Sequence, residues 1–89
     1  MGSDHAKLSH ARPAYDNARR AFELGARVRA LREQRGWSQA QLAKRVAMTT
    51  SDMARFEAGG TIPTLPLLER IAGALDMRLS IALTPDWRA

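Results

Sequence analysis

Short polar side chains followed by an arginine give one stretch of this chain the means to contact nucleic-acid bases. Thr50 and Ser51 carry hydroxyl groups that donate and accept hydrogen bonds, and Arg55 follows about one helical turn later. Short side chains let a helix approach base edges closely, and an arginine can reach O6 and N7 of guanine or a phosphate. These residue types predict a DNA-contacting surface near the start of a helix.

Four further polar residues complete the predicted DNA surface. Asp52 would be repelled by phosphate, so it either accepts a hydrogen bond from a cytosine amine or stabilises the helix N-terminus, which we favour. Gln39 lies in the first turn of the preceding helix, where its amide and the backbone N–H groups can hold a phosphate. Thr49 and Lys44 are predicted as additional DNA contacts, and Thr49 also as a helix cap.

The chain lacks the residues that most catalytic and metal sites need. It has no cysteine, which excludes thiolate ligands and disulfides and fits a reducing cytoplasm. Its two histidines, His5 and His10, have no partners at the spacing of metal ligands, and no Gly-rich phosphate loop is present. The carboxylates lie at positions that helix ends explain. We therefore expect no enzyme activity, no cofactor and no metal site.

A net charge of +5 and an isoelectric point near 11.1 indicate a polyanionic partner. The cationic residues are concentrated in one block: Arg19, Arg20, Arg27, Arg29, Arg32, Arg35, Lys44 and Arg45. Such a block is commonly a solvated helix face, but beside a DNA-contacting helix we favour contact with phosphates. No apolar run approaches the roughly 20 residues that cross a bilayer, and no secretory signal is visible. We expect a cytoplasmic protein without a membrane partner, nucleoid-associated when bound to DNA.

The predicted DNA surface lies on the second of two short helices joined by a tight turn. Apolar residues at helical spacing mark the buried faces of both helices: Leu42, Ala43, Val46, Met53 and Phe56. Ser38 can cap the first helix, in a capping box, and Thr49 the second. Ala47 stands where such a turn usually favours glycine, at some conformational cost. Two helices joined so closely must cross steeply and rest on a third element, which describes a helix-turn-helix.

A long helix is predicted before this pair, behind an irregular segment. Residues 1–12 lack periodicity and begin with Met-Gly-Ser, in part like the remnant of an expression tag, so we expect a disordered tail. Over residues 13–35 the spacing predicts one helix, or two abutting helices with a joint near Gly25. Tyr15 and Phe22 share one stripe of this helix, which packs either on the chain's own core or on a protein partner.

The period of the apolar pattern changes near residue 77. A helix is predicted before this point, beginning near Thr64 or Leu65. Over residues 77–84 apolar and polar residues alternate as in a strand, with one apolar face formed by Met77, Leu79, Ile81 and Leu83. A single strand cannot satisfy its backbone hydrogen bonds in a helical chain, so we expect it to pair with a second copy about a two-fold axis. A short coil is the competing interpretation, and residues 85–89 are predicted to form a tail.

Three spaced motifs resemble the xenobiotic-response-element (Cro/C1-type) helix-turn-helix family over about half of the chain. They are RxxRGWSQxxLA, FExG and LxxIAxAL, in the order and spacing of the family. The resemblance implies an all-α, lambda-repressor-like bundle of about five helices over residues 13–76, with the C-terminal strand pairing across a dimer. It also implies a phosphate contact at Gln39 and base-facing residues at Thr50, Ser51 and Arg55.

The leading helix and the trailing strand DMRLSIALTP make the chain most similar to antitoxin repressors of the HigA and HipB kinds. Resemblance to that group implies a homodimer that binds a palindromic operator in its own promoter and neutralises a toxin protein. Tyr15 and Phe22 are then the candidate toxin-binding residues. The alternatives are a stand-alone transcriptional regulator without a toxin and an adaptor that binds protein rather than DNA.

Overall fold

Four α-helices form the part of the chain that the computed structural model describes, which is the backbone of residues 2–83 and the side chains of residues 16–83. In chain order they are α1 (Gly2–Gln34), α2 (Gln39–Arg45), α3 (Thr50–Glu57) and α4 (Leu65–Ala74). The described residues are thus consistent with the predicted all-α bundle. The family resemblance implied about five helices, and the described residues form four. Within the described range, no helix is both long and apolar enough to cross a membrane.

The chain has no joint at Gly25, because α1 continues through this residue without a break. Gly25 instead marks a close contact between α1 and α3. A Cβ atom at this position would lie 2.7 Å from the carbonyl oxygen of Glu57 and would also collide with the carbonyl of Phe56. The missing side chain therefore lets the backbone of α1 touch the C-terminal end of α3. The sequence shows a small residue in the apolar stripe, but only the tertiary packing shows why it must be small.

The start of α1 also differs from the prediction. Its backbone is helical from Gly2, whereas we expected a disordered tail over residues 1–12 and a helix from residue 13 onward. Pro13 therefore lies inside the helix. Proline lacks the backbone N–H that other helical residues donate to the carbonyl four residues earlier. Apolar periodicity predicts a helix only where the sequence marks one apolar face, and residues 1–12 carry no such pattern.

Side-chain caps begin the three shorter helices at the predicted positions. The Ser38 hydroxyl accepts a hydrogen bond from the backbone N–H of Gln41 at 3.1 Å, and the Gln41 side chain accepts one from the Ser38 N–H at 2.7 Å. This is the predicted capping box. The hydroxyls of Thr49 and Thr64 cap α3 and α4 by accepting at 3.0 and 3.4 Å. Each cap contributes about 1 kcal/mol, so the helix starts are encoded locally.

Each of the described helices ends at a residue in the left-handed conformation, after which the chain turns away. These residues are Gly36 (φ 69°), Ala47 (φ 58°), Gly59 (φ 83°) and Asp76 (φ 56°). The next N–H then bonds back into the helix, as the N–H of Met48 does to the carbonyl of Ala43 at 2.8 Å. The prediction that Ala47 occupies a position suited to glycine is confirmed, and the left-handed conformation costs alanine about 1–2 kcal/mol.

One apolar core joins the described helices. Its most buried members are Val28, Leu42, Ala43, Val46, Met53, Phe56, Ile71 and Leu75. The predicted inward faces of α2 and α3 are confirmed, because Leu42 and Met53 are each 0% exposed. Full burial of such a side chain stabilises the fold by about 1.5–3 kcal/mol relative to leaving it in water. One face of α3 is thereby held in the core, and the opposite face lies at the surface.

The segment that follows α4 is irregular in the described residues 77–83. Met77, Ile81 and Leu83 are 43%, 60% and 98% exposed, whereas Leu79 is partly buried. A strand is defined by hydrogen bonds to a neighbouring strand, so a segment that pairs only between two copies stays irregular in a single chain. The strand over residues 77–84 therefore stays a prediction. The end of that range and the predicted tail lie outside the described residues.

Candidate nucleic-acid interface

The first turns of α3 present polar side chains at the surface. Thr50, Ser51, Asp52 and Arg55 are all exposed, and Met53 between them is buried. Helical periodicity places the polar and apolar residues on opposite faces, as the sequence predicted. The exposed face is polar and protrudes from the core, so it can approach the edges of base pairs. That it does so stays a prediction at this point.

Thr49 has a structural role in addition to its predicted DNA contact. Its hydroxyl oxygen accepts the hydrogen bond from the backbone N–H of Asp52 at 3.0 Å. The hydroxyl proton is not used in this bond and can be donated to a phosphate oxygen. The cap and the predicted phosphate contact are therefore compatible.

Asp52 and Arg55 lie next to each other on the outer face of α3. The Nη1 atom of Arg55 is 3.9 Å from Oδ1 of Asp52, and the two side chains are 64% and 54% exposed. An exposed ion pair contributes at most about 1 kcal/mol, so a DNA phosphate or base can replace it. Asp52 also lies in the first turn of α3, where a negative charge is favourable. The geometry supports the helix-stabilising interpretation and adds a partner that we did not predict.

A buried ion pair connects α1 with the end of α3. Nε and Nη2 of Arg32 donate to the two carboxylate oxygens of Glu57 at 2.7 and 3.0 Å, and Nη1 donates to the carbonyl of Trp37 at 2.7 Å. Hydrogen bonding to Glu57 raises the pKa of the Arg32 guanidinium above its ordinary value, although burial acts in the opposite direction. Glu57 therefore has a structural role as the buried partner of an arginine.

The same ion pair holds Gln39. The Nε2 atom of Gln39 donates to Oε1 of Glu57 at 3.0 Å, and the Gln39 side chain is half-buried. One amide hydrogen is used in this bond, which leaves the second for a phosphate oxygen. The phosphate contact stays a prediction. The sequence did not show the bond to Glu57, because the two residues meet only after α1, α2 and α3 have packed.

The cations of the basic block have different surroundings in the structure. The guanidinium groups of Arg19 and Arg29 lie 3.5 and 3.4 Å from the carboxylates of Glu23 and Glu33, one helical turn away. Arg35 donates to backbone carbonyls of α1 and of the C-cap of α4. Arg35 ties helices together, whereas the exposed pairs of Arg19 and Arg29 can be exchanged for a phosphate. The phosphate-facing role of the block stays a prediction.

Trp37, which follows the left-handed residue Gly36 at the end of α1, lies near two arginines. The guanidinium carbon of Arg45 is 4.1 Å from the centroid of the Trp37 ring, and that of Arg35 is 5.9 Å away. A cation over an aromatic ring contributes about 0.5–1 kcal/mol at an exposed site.

Lys44 is exposed on α2, so its ammonium group is accessible to a phosphate. Its contact with DNA stays a prediction.

The predicted partner-binding stripe is described at one residue only. Phe22 is 61% exposed, although the backbone of α1 beside it is covered by Gly59. A Cβ at Gly59 would lie 2.7 Å from Cα of Phe22, which shows how closely the turn after α3 packs on α1. The side chains of Tyr15, His5 and His10 lie outside the described residues.

Similar proteins are found over the part of the chain that carries this geometry. A family model described as a helix-turn-helix domain matches residues 23–80. The immunity repressor protein of Bacillus phage phi105 is 37% identical over 57 residues, which are 64% of this chain and 40% of that protein. The chain thus matches less than half the length of this relative. No solved structure matches the chain at a significant level.

Proposed function

Because this chain belongs to the xenobiotic-response-element (Cro/C1-type) helix-turn-helix family, we propose that it binds double-stranded DNA and represses transcription. The observation that carries this proposal is the surface of α3, where Thr50, Ser51 and Arg55 are exposed while the opposite face is held in the core. A helix presented in this way fits the major groove, in which each base pair displays a distinct pattern of hydrogen-bonding groups. The relative's description as an immunity repressor supports the same activity.

Arg55 is the principal base contact in this proposal. Its planar guanidinium group can donate two hydrogen bonds to O6 and N7 of one guanine, which distinguishes that base pair from the other three. Thr50 and Ser51 lie one turn nearer the helix start, and their small side chains let the backbone of α3 come close to the bases. In this proposal, phosphates are contacted by three residues that flank the exposed face of α3: Gln39, Thr49 and Lys44.

One α3 helix offers few base contacts, so we propose that two copies bind DNA together. The segment after α4 supports this, since Leu79 and Ile81 lie beside Leu65 and Glu69 of α4 while most of the segment's apolar side chains are exposed. Exposed apolar surface costs about 25 cal/mol per Å², and pairing residues 77–84 with the same segment of a second copy would cover it. A two-fold dimer requires a palindromic operator with half-sites roughly 34 Å apart.

Selection from a pool of randomised DNA duplexes tests this proposed function. The immobilised chain is incubated with the pool, and the retained duplexes are amplified and sequenced over several rounds. We expect the retained sequences to share a palindromic motif whose half-sites are separated by about one helical turn. Retention without any shared motif would show that the chain does not bind DNA specifically.

A toxin-neutralising role is a second proposal for the same chain. The ring of Phe22 supports this role, because it is exposed and can pack against an apolar surface of a partner protein. Phe22 lies just before the residues that the family model matches. The phage repressor fits the stand-alone regulator better than the antitoxin, and the narrower likeness to HigA and HipB stays a prediction. Co-expression with the product of the adjacent gene should yield a complex that Phe22→Ala weakens, whereas Arg29→Ala should leave it intact. Separate elution of the two wild-type proteins would exclude this role.

A further inference from the structure

The turn after α3 places Gly60 against the side chain of Arg55. Gly59 adopts the left-handed conformation that ends α3, and the N–H of Gly60 then donates to the carbonyl oxygen of Arg55 at 2.9 Å. In a helix end of this kind, the side chains of the residues at these two positions usually pack on each other. Gly60 has no side chain, so the aliphatic stem of Arg55 occupies the space that such a side chain would take.

Any side chain at position 60 would displace this stem. A Cβ atom built on Gly60 would lie 2.9 Å from Cγ of Arg55 and 3.8 Å from Cδ. The first distance is shorter than ordinary contacts between carbon atoms, which are about 3.5–4.0 Å. Because Cγ is bonded to Cβ, the first side-chain torsion of Arg55 sets its position, and moving Cγ away from the new methyl group changes that torsion. The guanidinium group would then leave its present place on α3.

Asp52 acts on the other end of the same side chain. Its carboxylate is 3.9 Å from Nη1 of Arg55, in an exposed pair that water and salt weaken. The steric limit at the stem is the firmer constraint, because a carbon–carbon distance of 2.9 Å has to be relieved, whereas an exposed ion pair can exchange its partner. The direction in which Arg55 extends therefore depends mainly on the absence of a side chain at Gly60.

From these contacts, and resting on the proposed base contact of Arg55, we propose that Gly60 is a positioning residue for DNA recognition. It sets the side-chain conformation that directs Arg55 toward its base, and it thereby determines which base is preferred at that position of the operator. Gly60 itself touches no base in this proposal and acts only through Arg55.

A double-mutant cycle tests the inference. Fluorescence anisotropy measures the affinity of the wild type, Gly60→Ala, Arg55→Ala and the double variant for the duplex that the wild type enriches, and for a scrambled duplex of the same composition. We expect Gly60→Ala to weaken binding to the enriched duplex about tenfold, within the range of one base contact, and to leave the scrambled duplex unaffected. In the Arg55→Ala background, Gly60→Ala should change neither affinity, because the displaced stem is already absent.

Base preference gives a readout that a purely structural role would not change. Selection from the random pool with Gly60→Ala should lose or alter the preferred base at the same operator position as selection with Arg55→Ala. The matched control is Gly73→Ala on α4, where an added Cβ would meet nothing within 4 Å apart from the neighbouring residues and backbone of its own helix. This control should leave affinity and base preference as in the wild type.

Thermal unfolding followed by circular dichroism covers the case in which Gly60→Ala fails to fold. Arg55→Ala should then restore folding in the double variant, because it removes the Cγ atom with which the new methyl group collides. A double variant that is still unfolded would overturn the inference, as would a Gly60→Ala protein with wild-type affinity and base preference, or an equal loss with and without Arg55. Equal affinity of the wild type for the two duplexes would instead refute the proposed function, and the inference with it.

Discussion

Arg55 and Glu57 lie two residues apart on α3, and the helix turns about 200° between them. Glu57 is 6% exposed and pairs with Arg32 in the interior, whereas the Arg55 side chain is 64% exposed at the surface. A buried charge is tolerated only with a partner of opposite charge, while an exposed one can exchange its partner for a base or a phosphate. Glu57 thus anchors α3 in the bundle, while Arg55 keeps its cation at the surface.

Arg55→Ala should remove a base contact and little else. We expect a loss of about 1–3 kcal/mol in binding to the enriched duplex and an unchanged affinity for a scrambled duplex. Anisotropy titrations of both duplexes measure the two values, with Arg29→Ala on α1 as the control that also removes one exposed cation. If Arg55→Ala weakens both duplexes equally, Arg55 contacts a phosphate and no base.

Glu57→Ala should be among the most destabilising single changes in the described part of the chain. It leaves the Arg32 guanidinium buried without its carboxylate, which costs about 3–5 kcal/mol of the free energy of unfolding. Glu33→Ala is the matched control, since it breaks an exposed pair with Arg29 at 3.4 Å and should cost less than about 1 kcal/mol. Urea denaturation measures both changes. Similar midpoints for the two variants would show that the buried pair stabilises the fold no more than the exposed pair does.

At the scale of the elements, the sequence predicted features that depend on neighbouring residues, but not those that depend on contacts between distant parts of the chain. Ser38, Thr49 and Thr64 begin helices through hydrogen bonds within a few residues, so sequence alone located those starts. Gly25 and Arg32 owe their roles to α3, which is distant in sequence, and the pattern showed only a glycine and one of many cations. The same distinction holds for the candidate site. The exposed face of α3 could be predicted from the spacing of apolar residues, whereas the hydrogen bond of Gln39 to Glu57 could not.

The turn between α2 and α3 can be stabilised without any new contact. Ala47 adopts a φ of 58°, which glycine reaches without the steric cost that alanine bears. Ala47→Gly should raise the free energy of unfolding by about 0.5–1 kcal/mol, after allowing for the greater flexibility of glycine in the unfolded chain. Ala40→Gly, on the exposed side of α2, should lower it by about 1 kcal/mol. Thermal melts of the two variants should therefore shift in opposite directions, and a shared direction would refute the strain at Ala47.

At the scale of the whole molecule, assembly is proposed to depend on the segment after α4. Truncation before Met77 should convert a dimer of about twice the 9.8 kDa chain mass into a monomer. Truncation also removes the N–H of Met77, which donates to the carbonyl of Ala72 at the end of α4. Ile81→Lys is therefore the milder variant, since this residue is 60% exposed in the single chain and its replacement should not disturb the fold. Light scattering of the wild type and both variants gives the masses. A wild-type monomer, or a dimer that survives both changes, would exclude pairing through this segment.

The net charge of +5 belongs to the whole chain, even though several arginines of the basic block are engaged in internal contacts. Those arginines remain charged and contribute to the long-range attraction of DNA. We therefore expect charge to govern how strongly DNA of any sequence is attracted, and α3 to govern which sequence is retained.

Sequence-specific DNA binding through α3 is tested most directly by one salt-dependent titration. The affinity of the wild type is measured by anisotropy for the enriched palindromic duplex and for its scrambled counterpart, at a series of salt concentrations. We expect the palindrome to bind at least about 10³-fold more tightly near physiological salt, with both affinities falling linearly on a log–log plot against salt. Equal affinity for the two duplexes, or an affinity that does not change with salt, would contradict this account.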